Sequence, residues 1–124
     1  MARWASMRCH WRQIALAGEL PAARSSHTVN AIGGQACIFG GEDSPRNAFD
    51  SFAYFFGRDG TCKRSEKPIP GLPLLGHGTA SLGSQLFIFG GRMGGTTTFS
   101  GKDASGETGD LMVLDTQLET WTKW

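Results

Sequence analysis

A fifteen-residue stretch of this chain recurs in altered form fifty positions later, and no other feature restricts the fold as much. His27 to Gly41 reads HTVNAIGGQACIFGG and His77 to Gly91 reads HGTASLGSQLFIFGG, with seven identities between them. The histidine, a glycine, the glutamine and the whole Ile-Phe-Gly-Gly recur, and Ile32 is answered by Leu82. A period of this length belongs to a propeller or solenoid, in which one supersecondary unit buries its apolar face only against its neighbours. Each copy also reads as a hairpin: a short strand up to Ile32 or Leu82, a glycine-containing turn, then an apolar strand ending at a diglycine.

Taken in order, Met1 to Arg12 holds three arginines and no acid. That composition suits a mitochondrial presequence, but a ragged, solvated lead-in to the first strand is the preferred reading. HWRQIAL, residues 10–16, alternates loosely and is expected to be an outer strand. Ser26 to Ile32 and Ala36 to Phe39 form the first hairpin around Gly33-Gly34, the second strand being apolar enough for burial on both faces. Glu42 to Asn47 is a polar loop broken by Pro45. A third strand over Phe49–Phe56 and a fourth over Thr61–Glu66 follow, with Lys67 to Leu75 as a proline-rich connector. The second copy then adds a long Gly/Thr/Ser-rich loop, residues 92–109, expected to be mobile, before DLMVLDTQLETW completes it.

The order Arg-x-x-His, turn, Ile-Phe-Gly-Gly, Leu-x-Val-Leu-Asp, Trp resembles the kelch repeat, whose units are four-stranded blades of a β-propeller. Trp11 to Ile14, Pro21 to His27, Phe39 to Glu42 with Pro45-Arg46, and Phe89 to Arg92 are similar to strings in plant nitrile-specifier and epithiospecifier proteins. The resemblance implies an all-β partial kelch propeller: two four-stranded antiparallel blades plus an N-terminal outer strand. Residues 1–9 would be the lead-in, 10–22 the outer strand and connector, 23–67 the first blade and 68–124 the second. Two blades are fewer than the four to eight that close a ring, so the chain reads as the N-terminal part of a larger propeller or a truncated product. By alignment Cys62 stands where the second copy has Trp121, and Leu74 where the first has Arg24; Phe52, Tyr54, Phe55 and Phe56 are expected to fill part of the volume of the missing tryptophan.

Bulk properties exclude several classes. A net charge of +1 gives no drive toward nucleic acid or anionic membrane, and no apolar run reaches membrane-span length. Cys9, Cys37 and Cys62 are odd in number and lack C-x-x-C spacing, which favours a reducing compartment, cytoplasmic with nuclear also open. GGRMGGTTT lacks the Gly-Lys-Ser/Thr ending of a phosphate-binding loop.

His27 and His77 could be ligands or catalysts, yet a group duplicated by the repeat is better read as structural. Gly40, Gly41, Gly90, Gly91 and Trp121 join them as repeat residues. No metal or cofactor is implied: the specifier resemblance carries a Glu-x3-Asp-x3-His iron motif in a later blade, and no acid here begins one. The same resemblance implies that Arg92, following the second diglycine, holds an anionic sulfate, for which a guanidinium fork is suited. Glu42 stands at the matching point of the first copy and is the second candidate ligand residue. The resulting expectation is a protein-interaction module without catalysis of its own, meeting other proteins or missing blades through its loops, with self-association open. The alternative is the N-terminal part of a specifier-like protein of glucosinolate breakdown, lacking its iron-binding blades; a structural or vestigial product is the third.

Overall fold

The computed structural model describes residues 6–44, 47–48, 51–68, 74–93, 98–99, 102–103 and 106–124, and every regular element among them is a β-strand. In chain order these are β1 (Ala17–Gly18), β2 (Thr28–Ile32), β3 (Gln35–Phe39), β4 (Glu42–Ser44), β5 (Asn47–Ala48), β6 (Ala53–Phe56), β7 (Thr61–Arg64) and β8 (Leu74–Leu75). Then follow β9 (Gly78–Leu82), β10 (Gln85–Phe89), β11 (Arg92–Met93), β12 (Thr98–Phe99), β13 (Lys102–Asp103), β14 (Gly106–Glu107), β15 (Leu111–Asp115) and β16 (Thr120–Lys123).

Each copy of the repeat builds an antiparallel meander. The first sheet runs β2-β3-β6-β7, with β1 added parallel to β7 at its outer edge, and the second runs β9-β10-β15-β16. The β2–β3 turn is made by Gly33 and Gly34, both at positive φ (57° and 75°), a conformation that costs glycine no Cβ clash. The register matches between sheets: Ala36, Phe56 and Cys62 lie in one row of the first, Leu86, Leu114 and Trp121 in the corresponding row of the second. Cys62 therefore does occupy the tryptophan position.

The core lies between the two sheets. Ile32, Cys37, Phe39 and Ala53 of the first pack with Leu86, Ile88 and Leu114 of the second, and Leu74 joins them. Side chains alternate across a strand, so the two copies bury opposite faces: Phe39 is 1% exposed and its counterpart Phe89 58%, while Ile88 is buried and Ile38 only half-buried. Two-faced burial, expected of both central strands, needs a neighbour on each side; each of these sheets has one such neighbour among the described residues.

Several expectations change. Residues 10–16 form no strand; the outer strand is the two-residue β1, and it closes onto its own sheet. Gly18 permits this, because a Cβ there would stand 2.3 Å from the Cys62 carbonyl oxygen. The third strand begins at Ala53, with Ser51 and Phe52 outside it, and Phe49 and Asp50 lie outside the described residues. The fourth strand stops at Arg64. Glu42–Ser44 is paired with Asn47–Ala48 where a loop was expected, Pro45 and Arg46 being outside the described residues. The connector ends in β8, and the long loop carries β11 to β14: β11 is sandwiched between β8 and β14, and β12 pairs with β13.

Candidate functional site

The two glycines of each pair do different jobs, and this explains the repeat histidines. The second glycine sits against its own repeat: a Cβ on Gly41 would lie 2.6 Å from the Ser25 carbonyl oxygen and 3.1 Å from the His27 Cβ. One on Gly91 would lie 2.8 Å from the His77 Cβ. The first glycine sits against the next repeat: a Cβ on Gly40 would lie 2.3 Å from the His77 Cε1 and 2.6 Å from the Leu74 carbonyl oxygen. At Gly90 the nearest such atom is the Thr108 carbonyl oxygen at 3.6 Å.

His77 is accordingly buried between the sheets. Its ring meets Phe39 edge-on at 5.0 Å between centroids, and its Nε2 lies 2.9 Å from the Thr28 Oγ1. Its Nδ1 is buried with no hydrogen-bond partner. A bare lone pair is cheaper there than an orphaned N–H, which assigns the proton to Nε2, donating to Thr28. Burial lowers the His77 pKa to about 4, outweighing the Phe39 backbone hydrogen bond that favours the charged ring, and the positive charge of His27 lowers it further. His27, at the same repeat position, is exposed. One histidine cements two sheets and the other faces solvent, so they do not form a joint site.

Beside His77, the Thr79 hydroxyl donates to the Asn30 Oδ1. The pairs Thr28–His77 and Asn30–Thr79 join β2 to β9, and sequence reasoning missed both. Their repeat counterparts, Gly78, Ala80 and Val29, cannot make such bonds, so periodicity carried no signal. Trp121 is half-buried and packs on Phe39 at 5.9 Å. In the first sheet Tyr54 is buried with the Arg24 guanidinium 5.2 Å from its ring centroid, and Arg24 Nη1 donates to the Gly40 carbonyl oxygen. Leu74, in place of a second arginine, is a core residue.

Arg92 and Glu42 lie at equivalent points on one rim. Glu42 exchanges backbone hydrogen bonds with Ser25, and its carboxylate accepts from the Ser26 hydroxyl at 3.2 Å. Arg92 pairs with Leu75 on one side and Glu107 on the other. The rim is continuous, because Gly41 N–H donates to the Leu74 carbonyl and Gly76 N–H to the Ser26 carbonyl. Arg92 is half-buried beside a shallow cleft of about 490 Å³ shared with Leu75, Gly76, Gly91, Glu107 and Thr108. Its Nε has no hydrogen-bond partner, and it makes no ion pair among the described residues. Asp110 binds Lys123 at 3.0 Å.

The cysteines divide by burial: Cys9 is exposed, Cys37 and Cys62 are buried, and all are free thiols. Burial pushes the Cys37 thiol up to about 12, and raises Cys62 with help from the negative charge of Glu19. Among the described residues no group of three or more His, Cys, Asp or Glu could hold a metal ion, and no helix is long and apolar enough to cross a membrane.

The fold and rim define an all-β protein made of repeated antiparallel sheets packed face to face. The chain is 32% identical over 107 residues, 84% of its length, to N-(sulfonatooxy)prop-2-enimidothioate sulfolyase of Thlaspi arvense. It is 31% identical over 103 residues, 82% of its length, to Rho GTPase-activating protein gacHH of Dictyostelium discoideum. It spans 28% of the first and 6% of the second of these curated relatives. No protein-family model matches it.

Proposed function

We propose that the chain is a pair of kelch-type blades acting as a binding scaffold, whose rim around Glu42 and Arg92 meets a partner protein. The observation that carries this is the pair of relatives. Two proteins with unlike printed activities resemble the chain almost equally, and alignments of 107 and 103 residues in a chain of 124 necessarily share most of it. What the two alignments have in common is the repeat-bearing stretch of this chain, which supports reading the likeness as one of architecture, and architecture alone does not carry an activity. Function on such a scaffold resides in the exposed segments at the sheet ends. The test is capture from an extract of the source cells. Proteins retained by the wild-type chain are expected to be lost with Arg92→Glu and with Glu42→Arg. They should be kept with Arg58→Glu, in the β6–β7 turn at the opposite end. Equal capture by all variants would refute the rim as the binding surface.

A second reading has its own support. Arg92 lines an open cleft and has a buried, unpaired Nε, and the first relative's name describes a sulfolyase acting on a sulfonatooxy compound. On this reading Arg92 holds the sulfate group of a related substrate, while the chemistry would need residues outside this chain. Calorimetry with inorganic sulfate and with an alkyl sulfate tests it: binding that disappears in Arg92→Ala supports it. Equal heats from both proteins refute it.

A further inference from the structure

We infer that the cleft between the connector at residues 65–68 and the β15–β16 turn takes the guanidinium of an arginine on a partner protein. The two copies of the repeat treat this place differently. In the first, the incoming segment is zipped onto the outer strand: Ala17 N–H donates to the Gly60 carbonyl and Glu19 N–H to the Cys62 carbonyl. Glycines on both sides of that seam allow the approach. A Cβ on Gly18 would strike the Cys62 carbonyl oxygen, and one on Gly60 would lie 2.6 Å from the Ala15 carbonyl oxygen. In the second copy both glycines are gone: the repeat places Pro68 at the Gly18 position and Glu119 at the Gly60 position. Among the described residues no backbone hydrogen bond crosses the second seam. It stays open as a cleft of about 200 Å³, with Ser65, Glu66 and Lys67 on one side and Thr116, Leu118 and Glu119 on the other. Both walls are fixed. The Ser65 hydroxyl accepts from the Ala53 N–H and donates to the Lys67 carbonyl, while the Thr116 hydroxyl donates to the Ser84 carbonyl. The cleft lies between the chain's own two sheets and not on an outer face, at the end away from Arg92, and the inference is independent of the rim reading.

Floor and walls together select the occupant. Phe55, Leu114 and Trp121 line the floor, and Trp121 stands where the first copy has Cys62, so an indole replaces a thiol. Cations are attracted to aromatic faces, and most strongly to tryptophan. On the walls Glu66 and Glu119 carry two negative charges against the one positive charge of Lys67, and none of the three is in an ion pair among the described residues. Farther out the cleft widens along Glu19, Lys63 and Arg64, where Glu19 and Arg64 pair at 3.8 Å. The negative excess therefore lies beside the aromatic floor. Glu119 is also strained: its φ of 52° is one that glycine adopts freely and other residues avoid. A side chain kept at such a φ, where the other copy has glycine, points to use of that side chain. The volume of about 200 Å³ is below the roughly 300–1,000 Å³ of pockets that enclose whole small molecules, and it suits one side chain. Arginine meets each condition, because its planar fork stacks on a ring while its five donors reach carboxylates, and it is enriched at protein interfaces.

The test is a titration of the full chain, followed by proton–nitrogen correlation NMR, with two peptides at millimolar concentration. One is acetyl-Gly-Arg-Gly-amide; the other carries citrulline, which keeps the shape of arginine without its charge. The arginine peptide is expected to shift the Trp121 indole N–H and the Phe55 and Glu119 amides. The citrulline peptide should bind at least about tenfold more weakly, since charge-assisted hydrogen bonds are the stronger ones. Glu119→Gln should weaken arginine binding with the spectrum otherwise unchanged. Glu119→Gly separates binding from structure: glycine relieves the backbone, so the urea midpoint should rise while arginine binding falls. Equal shifts from the two peptides, a Trp121 indole that does not move, undiminished binding in Glu119→Gly, or a midpoint that falls in that variant would each overturn the proposal.

Discussion

Acidification offers the sharpest test of the contact between the two sheets. His77 is held neutral in the folded chain, its pKa lowered from 6.5 to about 4 by burial. The unfolded chain takes up this proton near pH 6.5, so between the two values the unfolded state binds more protons and stability rises with pH. Stability from neutral His77 is complete above about pH 6.5 and is lost progressively as the pH falls to about 4; below that, both states are protonated and the loss stops. At about 1.4 kcal/mol per unit the full difference is about 3 kcal/mol, or 2–3 with allowance for water reaching the ring edge. Carboxylates titrate in the same range, so the quantity to measure is the difference between wild type and His77→Phe. Phenylalanine keeps an aromatic edge against Phe39 but has nothing to protonate and no bond to Thr28. Urea unfolding followed by circular dichroism at pH 7.5, 6, 5 and 4, at one protein concentration, should show the wild type losing 2–3 kcal/mol more than the variant across the series. Parallel pH profiles would refute the claim that His77 is buried and neutral.

The diglycines give an asymmetric prediction: Gly40→Ala and Gly90→Ala share a φ of 71°, which costs a side chain about 1–2 kcal/mol, but only Gly40 also faces His77 and the Leu74 carbonyl. Denaturant midpoints of the two variants should differ clearly in dilute solution, and equal values would contradict the packing. Thiol titration of the native chain at pH 8 is expected to modify Cys9 rapidly and leave Cys37 and Cys62 unreacted until denaturant is added; rapid modification of all three refutes the burial. Trp121→Ala removes the ring packed on Phe39 and should cost about 2–4 kcal/mol, whereas Trp124→Ala, on the exposed face, should cost under 1 in dilute solution.

Sequence alone determined the unit and its punctuation. Two Ile-Phe-Gly-Gly strings at one spacing settle where each second strand ends, because a positive φ and a close neighbour demand glycine there, and the hairpin pattern settles what precedes it. Local chemistry is sufficient for such features. It also placed Arg92 and Glu42 at matching points, since equivalence within a repeat is a property of the string. It could not say which copy of a repeated residue is buried. Phe39 and Phe89 occupy identical local contexts, as do His27 and His77, yet one of each pair is enclosed and the other exposed. That difference arises from which face of each sheet has a neighbour, a relation between segments fifty residues apart. The pairs Thr28–His77 and Asn30–Thr79 belong to the same category: they break the repeat because, among the described residues, they form where the two sheets meet. The short strands of residues 92–109 were hidden for a related reason. Their Gly/Thr/Ser composition encodes little, and β11 is held by backbone bonds to β8 and β14, which only the packed sheets bring within reach.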